Sequence, residues 1–250
     1  ANDCEYSVNS CKYGGIISCS LTDMDERTSV LPCLTKTGEL HLVNVKKPED
    51  YYRLPLDVMT QPLYAFADLN KDGYDDIITV AKNVYIIWGG PASSLSNLSS
   101  KNKTSRINLT PMLNERLVLN DINADGLMDI MIVHDDGYTV LENKGTKESA
   151  GACDFYKYPL KKDLCFNSSK GEIFIYGDFN HDGVLDFMKT ENHDYVYYYG
   201  YNDHEYGDRR FGFREDRQEW SYWKDKGETS FAFAMDYDSD GTTDVALVHN

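Results

Sequence analysis

Apolar and polar positions alternate in a pattern that repeats four times along the chain. A short apolar run leads into a polar break of about nine residues, and a second apolar run follows. The four segments are AFADLNKDGYDDIITV (Ala65–Val80), VLNDINADGLMDIMIV (Val118–Val133), IYGDFNHDGVLDFMKT (Ile175–Thr190) and FAMDYDSDGTTDVALV (Phe233–Val248). Short runs rich in Val, Ile, Phe and Tyr around turn residues predict strands, not helices. A third strand-like stretch follows within about ten residues at Val84–Trp88, Tyr138–Glu142 and Tyr195–Tyr199. Each unit therefore predicts a hairpin with the polar break at its tip, followed by a further hairpin.

The spacing sets the architecture. The first aspartates of the four breaks are Asp68, Asp121, Asp178 and Asp236, at intervals of 53, 57 and 58 residues. That is the length of a four-stranded propeller blade with loop insertions, and self-similarity at such a period signals a repeat architecture. A degenerate unit precedes these at Ile16–Val45, with Asp23 and Asp25 at the first and third loop positions but Arg27 at the fifth and no glycine after it. The expectation is an all-β chain, a β-propeller of about five blades or a segment of a larger ring. The degenerate blade covers about 16–60. Blades with intact loops cover about 61–115, 116–170 and 171–228, and an incomplete one covers 229–250. A full blade needs two strands beyond that point, and residues 1–15 would supply one of them.

The polar breaks share the motif D-x-[ND]-x-D-G-x-x-D. A calcium ion takes six to eight oxygen ligands in a compact cage. Alternating side chains at positions one, three and five converge as the chain curls, and glycine at position six permits the sharp turn. The seventh residue offers a backbone carbonyl and the ninth closes the cage. The candidate ligands are Asp68, Asn70, Asp72, Tyr74 and Asp76 in the first loop, and Asp121, Asn123, Asp125, Leu127 and Asp129 in the second. In the third they are Asp178, Asn180, Asp182, Val184 and Asp186, and in the fourth Asp236, Asp238, Asp240, Thr242 and Asp244. About four Ca²⁺ ions are expected. No ion is expected in the degenerate loop, where Arg27 competes with a cation. An EF-hand closes with Glu at its twelfth position between two helices. Here the twelfth residues are Thr79, Ile132, Lys189 and Leu247, between β-rich flanks.

These segments resemble the FG-GAP/VCBS repeats of integrin α-subunit propellers and their relatives. The resemblance extends to ectodomains of the T-cell immunomodulatory type. It rests on FADLNKDGYDDIITV and YGDFNHDGVLDFMKT and on VYIIWGGP (Val84–Pro91), and covers the chain from about Ser18 onward. It implies loops between the first two strands of each blade, a structural metal, and partners bound on the propeller faces. A strict Phe-Gly-Gly-Ala-Pro run is absent, which separates the chain from an integrin-like ligand mode.

Charge sharpens this picture. The formal net charge is −16, and 13 aspartates occupy the loop ligand positions. Four calcium ions would bring the balance to about −8. Nucleic acid is excluded, since it calls for a basic footprint. Direct membrane insertion of this segment is excluded too, since no apolar run approaches the roughly 20 residues of a span. Six cysteines (Cys4, Cys11, Cys19, Cys33, Cys153 and Cys165) form no zinc or thioredoxin pair. Cys153 with Cys165, Cys19 with Cys33, and Cys4 with Cys11 are the expected disulfides, although four N-terminal cysteines allow three connectivities. Sequons stand at Asn97, Asn102, Asn108 and Asn167, three of them in the Ser/Asn/Lys-rich stretch 91–110. Together these features place the chain in the secretory route, extracellular or at the cell surface, with any anchor outside this segment.

No catalytic constellation is visible. The six histidines lack zinc-protease spacing, and Glu215/Asp216 reads as a charged turn. The aromatic stretch Tyr195–Phe213 reads as inward packing between blades. The functional alternative is an exposed patch at Tyr201, Tyr206, Arg209 and Arg210. The expected function is a non-enzymatic adhesion or protein-interaction module, alone or in a larger complex. A glycan-binding lectin-like propeller and a propeller-type polysaccharide-degrading enzyme are the alternatives.

Overall fold

The structure, a computed structural model, describes residues 16–19, 22–23, 29–35, 40–44, 51–53, 63–80, 83–89, 104–109, 116–146, 152–164, 173–191, 194–203, 210–218 and 229–249. Every regular element among them is a strand. The chain divides into two compact units. One comprises Ala1–Pro111 and Gly145–Asp154, the other Met112–Lys144 and Phe155–Asn250.

The first unit begins with a sheet built from β1 (Ile16–Cys19), β2 (Thr22–Asp23), β3 (Ser29–Thr35), β4 (Leu40–Asn44) and β5 (Tyr51–Arg53), in the order β1-β3-β4-β5. β2 is a short extra strand paired with β3, and it ends on Asp23 opposite Ser29. The degenerate loop is therefore partly extended, while Asp25 and Arg27 lie outside the described residues. Next come β6 (Leu63–Ala67), β7 (Asp76–Val80), β8 (Asn83–Ile87) and β9 (Thr104–Asn108), paired in sequence order and antiparallel.

Two further four-stranded sheets repeat this plan. One holds β10 (Arg116–Asn120), β11 (Asp129–His134), β12 (Gly137–Thr146) and β13 (Cys153–Lys157). The other holds β14 (Phe174–Gly177), β15 (Asp186–Glu191), β16 (Asp194–Asp203) and β17 (Arg210–Gln218). A last pair, β18 (Thr229–Met235) and β19 (Asp244–His249), forms a two-stranded sheet. Consecutive four-stranded antiparallel sheets of one repeated plan are compatible with a β-propeller.

Register is the same in each first hairpin. Ala67 pairs with Asp76, Asn120 with Asp129, Gly177 with Asp186, and Met235 with Asp244. The closing aspartate thus always begins the second strand, opposite the residue before the first aspartate. The second strands β7 and β11 are covered on both faces, with all of Asp76–Val80 and Asp129–His134 buried. That explains the unbroken apolar runs IITV and IMIV, since a half-solvated strand would alternate.

Within the second unit two cores join successive sheets. Val118, Met131, Val133, Tyr138 and Val140 meet Leu185, Phe187, Val196, Tyr198, Phe211 and Phe213. Phe213 lies edge-on to both Tyr138 and Phe187, at centroid distances of 5.3 and 4.9 Å. On the other face of the same sheet, Ile175, Met188 and Tyr195 pack on Ala232. Tyr195, Tyr198, Phe211 and Phe213 therefore pack inward, as the aromatic stretch reads. Tyr201 is half-buried, and the side chains of Tyr206, Arg209 and Arg210 lie outside the described residues.

Candidate metal centre

Each Asp loop folds by bonding to itself. In the first, the Asp72 and Gly73 N–H groups donate to the two carboxylate oxygens of Asp68 at 3.0 and 2.8 Å. The Asp72 N–H also donates to Asn70 Oδ1, and the Tyr74 N–H donates to Asp72 Oδ1 at 3.0 Å. Asp121, Asn123, Asp125 and Leu127 repeat these bonds, as do Asp178, Asn180, Asp182 and Val184. Asp236, Asp238, Asp240 and Thr242 form the same set at 2.7–3.2 Å. Short Asx side chains that turn onto their own backbone favour this conformation over a helix or a longer strand.

The backbone repeats as closely as the side chains. Position four is left-handed in all four loops, at Lys71, Ala124, His181 and Ser239, with φ between 55° and 62°. Position six is a glycine with φ between 79° and 89°. A left-handed non-glycine residue costs roughly 1–2 kcal/mol. Its recurrence with four different residue types means that the loop, and not the residue, imposes it.

The ninth residue closes the loop and ties it to the sheet. The Leu69, Ile122, Phe179 and Tyr237 N–H groups donate to Asp76, Asp129, Asp186 and Asp244 at 2.9–3.0 Å. In three loops the other carboxylate oxygen accepts an N–H from the end of the third strand or just beyond it. The donors are Gly89 to Asp76, Asn143 to Asp129, and Gly200 to Asp186, at 2.7–2.8 Å. These donors were not among the sequence candidates. Their signal is positional, since each stands 13 or 14 residues after its aspartate. Close approach explains the glycines, because a Cβ on Gly89 would sit 2.5 Å from the Asp75 carbonyl oxygen, and one on Gly200 2.3 Å from that of Leu185.

Asp76, Asp129 and Asp186 have no exposed surface. Burial pushes the Asp76 and Asp129 carboxyls up to about 7 and Asp186 up to about 6, against the pull of the two N–H donors on each. The first and fifth aspartates of the same loop push in the same direction as burial. Such a group holds a proton or a cation at neutral pH more readily than an ordinary carboxylate.

The donor set suits a hard cation. Asp236, Asp238 and Asp244 bring carboxylate oxygens within 4.8 Å of one another. In the other loops the third ligand is an asparagine whose Nδ2 donates to the fifth aspartate. Asn123 Nδ2 donates to Glu142 as well, at 2.7 Å, and Glu142 is itself buried and accepts from the Tyr158 hydroxyl.

The remaining candidates are placed unevenly. Cys19 and Cys33 stand directly opposite each other in the β1–β3 register. Cys153 is buried, its Sγ 3.4 Å from the Leu69 carbonyl oxygen. Cys4, Cys11 and Cys165 lie outside the described residues, as do Asn97, Asn102 and Asn167. Asn108 is exposed at the end of β9.

No protein-family profile and no curated protein sequence matches the chain. Among solved structures it is similar to an Agrocybe aegerita lectin that recognises non-reducing terminal N-acetylglucosamine. The identity is 14% and the TM-score 0.39, over 93% of this chain and 75% of that one. It is also similar to a mutant Photorhabdus luminescens Tc holotoxin pore, at 13% identity and TM-score 0.39, over 73% of this chain and 10% of that one. Likenesses this remote leave both fold and function to the chain's own residues.

Proposed function

We propose that this chain is a non-enzymatic, extracellular or cell-surface interaction module of FG-GAP/VCBS propeller type, held in shape by about four structural calcium ions. One observation carries the reading. The same self-bonded Asp loop recurs four times at the same register position, between the first and second strands of successive sheets. An Asp/Gly turn explains one such loop without a metal, but four with matching bonds and left-handed positions share one requirement. The ligands in each are the first, third, fifth and ninth side chains and the seventh carbonyl. An ion bound there cross-links a loop that has little core of its own, so its binding energy becomes folding energy.

The partner is a protein at the cell surface or within a larger complex, bound by surfaces that the loops hold in place. Secretory passage goes with this reading, with a Cys19–Cys33 bridge across β1 and β3 and a glycan on exposed Asn108. The test is binding of the purified chain to intact cells, with calcium and with EDTA. Binding that is saturable, needs calcium and survives deglycosylation of the cells supports a protein partner. Binding lost on deglycosylation points to the lectin alternative. Release of oligosaccharides from an added polysaccharide would overturn the non-enzymatic reading.

A further inference from the structure

The third and fourth Asp loops, both in the second unit, are bonded to each other. Thr243 precedes the closing aspartate of the fourth loop. Its Oγ accepts the Asp178 N–H at 3.0 Å, and its own N–H donates to the Asp178 carbonyl at 2.9 Å. The residue that opens the third loop is thus gripped on both sides of its backbone. A third bond joins the loop tips, where His181 Nδ1–H donates to the Gly241 carbonyl at 2.8 Å. Packing leaves no slack, since a Cβ on Gly177 would lie 2.5 Å from Thr243 Cγ2 and one on Gly241 2.8 Å from His181 Cε1.

The second and third loops supply an internal contrast. There the place of Thr243 is taken by Leu185, that of His181 by Ala124, and that of Gly177 by Asn120. Neither Leu185 nor Ala124 has a side-chain polar group to make these bonds.

We propose that the third and fourth loops act as one coupled pair, in which Thr243 and His181 are positioning residues that make calcium at either site strengthen binding at the other. This rests on the calcium reading above and adds that these two sites are not independent. Ordering Asp244 fixes Thr243, and Thr243 fixes the backbone of Asp178. A second ion then meets a loop already ordered, and the entropy lost on binding falls. Coupling of this kind is reciprocal and is typically about 5- to 150-fold in affinity.

The test is a calcium titration of the whole chain followed by the backbone amide signals of Gly126, Gly183 and Gly241. Each of these groups donates to the first aspartate of its own loop, so each reports one site. Asp238→Ala disables the fourth loop at an exposed position. The expected result is a Gly183 midpoint at least about five-fold higher in calcium, with Gly126 unchanged. With His181→Ala and Thr243→Val already present, the same change moves Gly183 by less than about two-fold. His181→Ala alone, on the exposed side, reduces the coupling in the same direction and guards against a misfolded double variant. A Gly183 midpoint indifferent to Asp238→Ala in the otherwise unchanged chain overturns the coupling. If all three glycines ignore calcium to about 10 mM, well above the range of weak extracellular modules, the calcium reading itself fails and the coupling falls with it.

Discussion

The third and fourth Asp loops share the same backbone-to-carboxylate bonds and sit in different surroundings. Asp186 is fully buried and held by N–H groups from its own loop and from Gly200 near the end of β16. Asp244 is half-buried, and every residue from Asp236 to Gly241 is exposed. The loop shape survives this change intact. Conformation is therefore set within nine residues, whereas the burial of the closing carboxylate depends on the third strand that covers it. Among the described residues, Asp244 accepts the Tyr237 N–H, whereas Asp186 accepts both the Phe179 and the Gly200 N–H.

The largest expected difference follows from removing those two carboxylates. In saturating calcium, Asp186→Ala should cost about 3–5 kcal/mol, the range for breaking a buried charge pair. Asp244→Ala should cost about 1–2 kcal/mol, nearer to one hydrogen-bonded charge with solvent access. Chemical denaturation of both variants reads this directly. Without calcium the gap should narrow, since the Asp186 charge is then buried with no cation. Equal losses in calcium would erase the distinction between the loops.

Gly200 probes the covering strand itself. Alanine there meets the Leu185 carbonyl oxygen and, at 2.7 Å, Val184 Cγ1. Over-packing of this sort costs about 2–3 kcal/mol. Gly183 is left-handed, and a methyl group added there would meet nothing within 4 Å. Gly183→Ala should therefore cost only the backbone term, about 1 kcal/mol. Thermal melts that rank the two the other way would place the critical geometry in the turn and not in the strand.

A smaller effect is expected from pH. In calcium-free protein, Asp76 and Asp129 keep a proton up to about 7 and Asp186 up to about 6, while unfolded aspartates ionise near 4. The folded state therefore binds more protons between those values. Stability is fully present below about 4, declines as pH rises through the raised values, and has lost this contribution above about 7. Melting should be higher at about pH 5 than at about pH 7.5 without calcium. With calcium the order should reverse, because the ion occupies the site and protons compete with it. A calcium-free melting temperature flat across this range would contradict the burial of these carboxylates.

Strand order and loops were legible because their signals are local. An Asx residue every second position, a glycine at the sixth and an apolar run after the ninth all lie inside one turn and its flanks. Gly89, Asn143 and Gly200 were not legible as site residues, because they reach the loop only after two strands have paired. The grip of Thr243 on Asp178 spans 65 residues and depends on two sheets packing side by side. The degenerate unit showed the same limit, since its loop region contains the short strand β2, which two residues of pattern do not announce.

Four loops acting as calcium pins should govern the stability of the whole chain. The most direct measurement is the melting temperature of the whole chain with saturating calcium and with EDTA. At calcium about a hundred-fold above Kd, each site adds about 2.7 kcal/mol. For a chain this size 1 kcal/mol moves Tm by about 2–4 °C. Four sites should raise Tm by about 20 °C or more on those figures. An identical Tm in EDTA and in calcium would contradict the account.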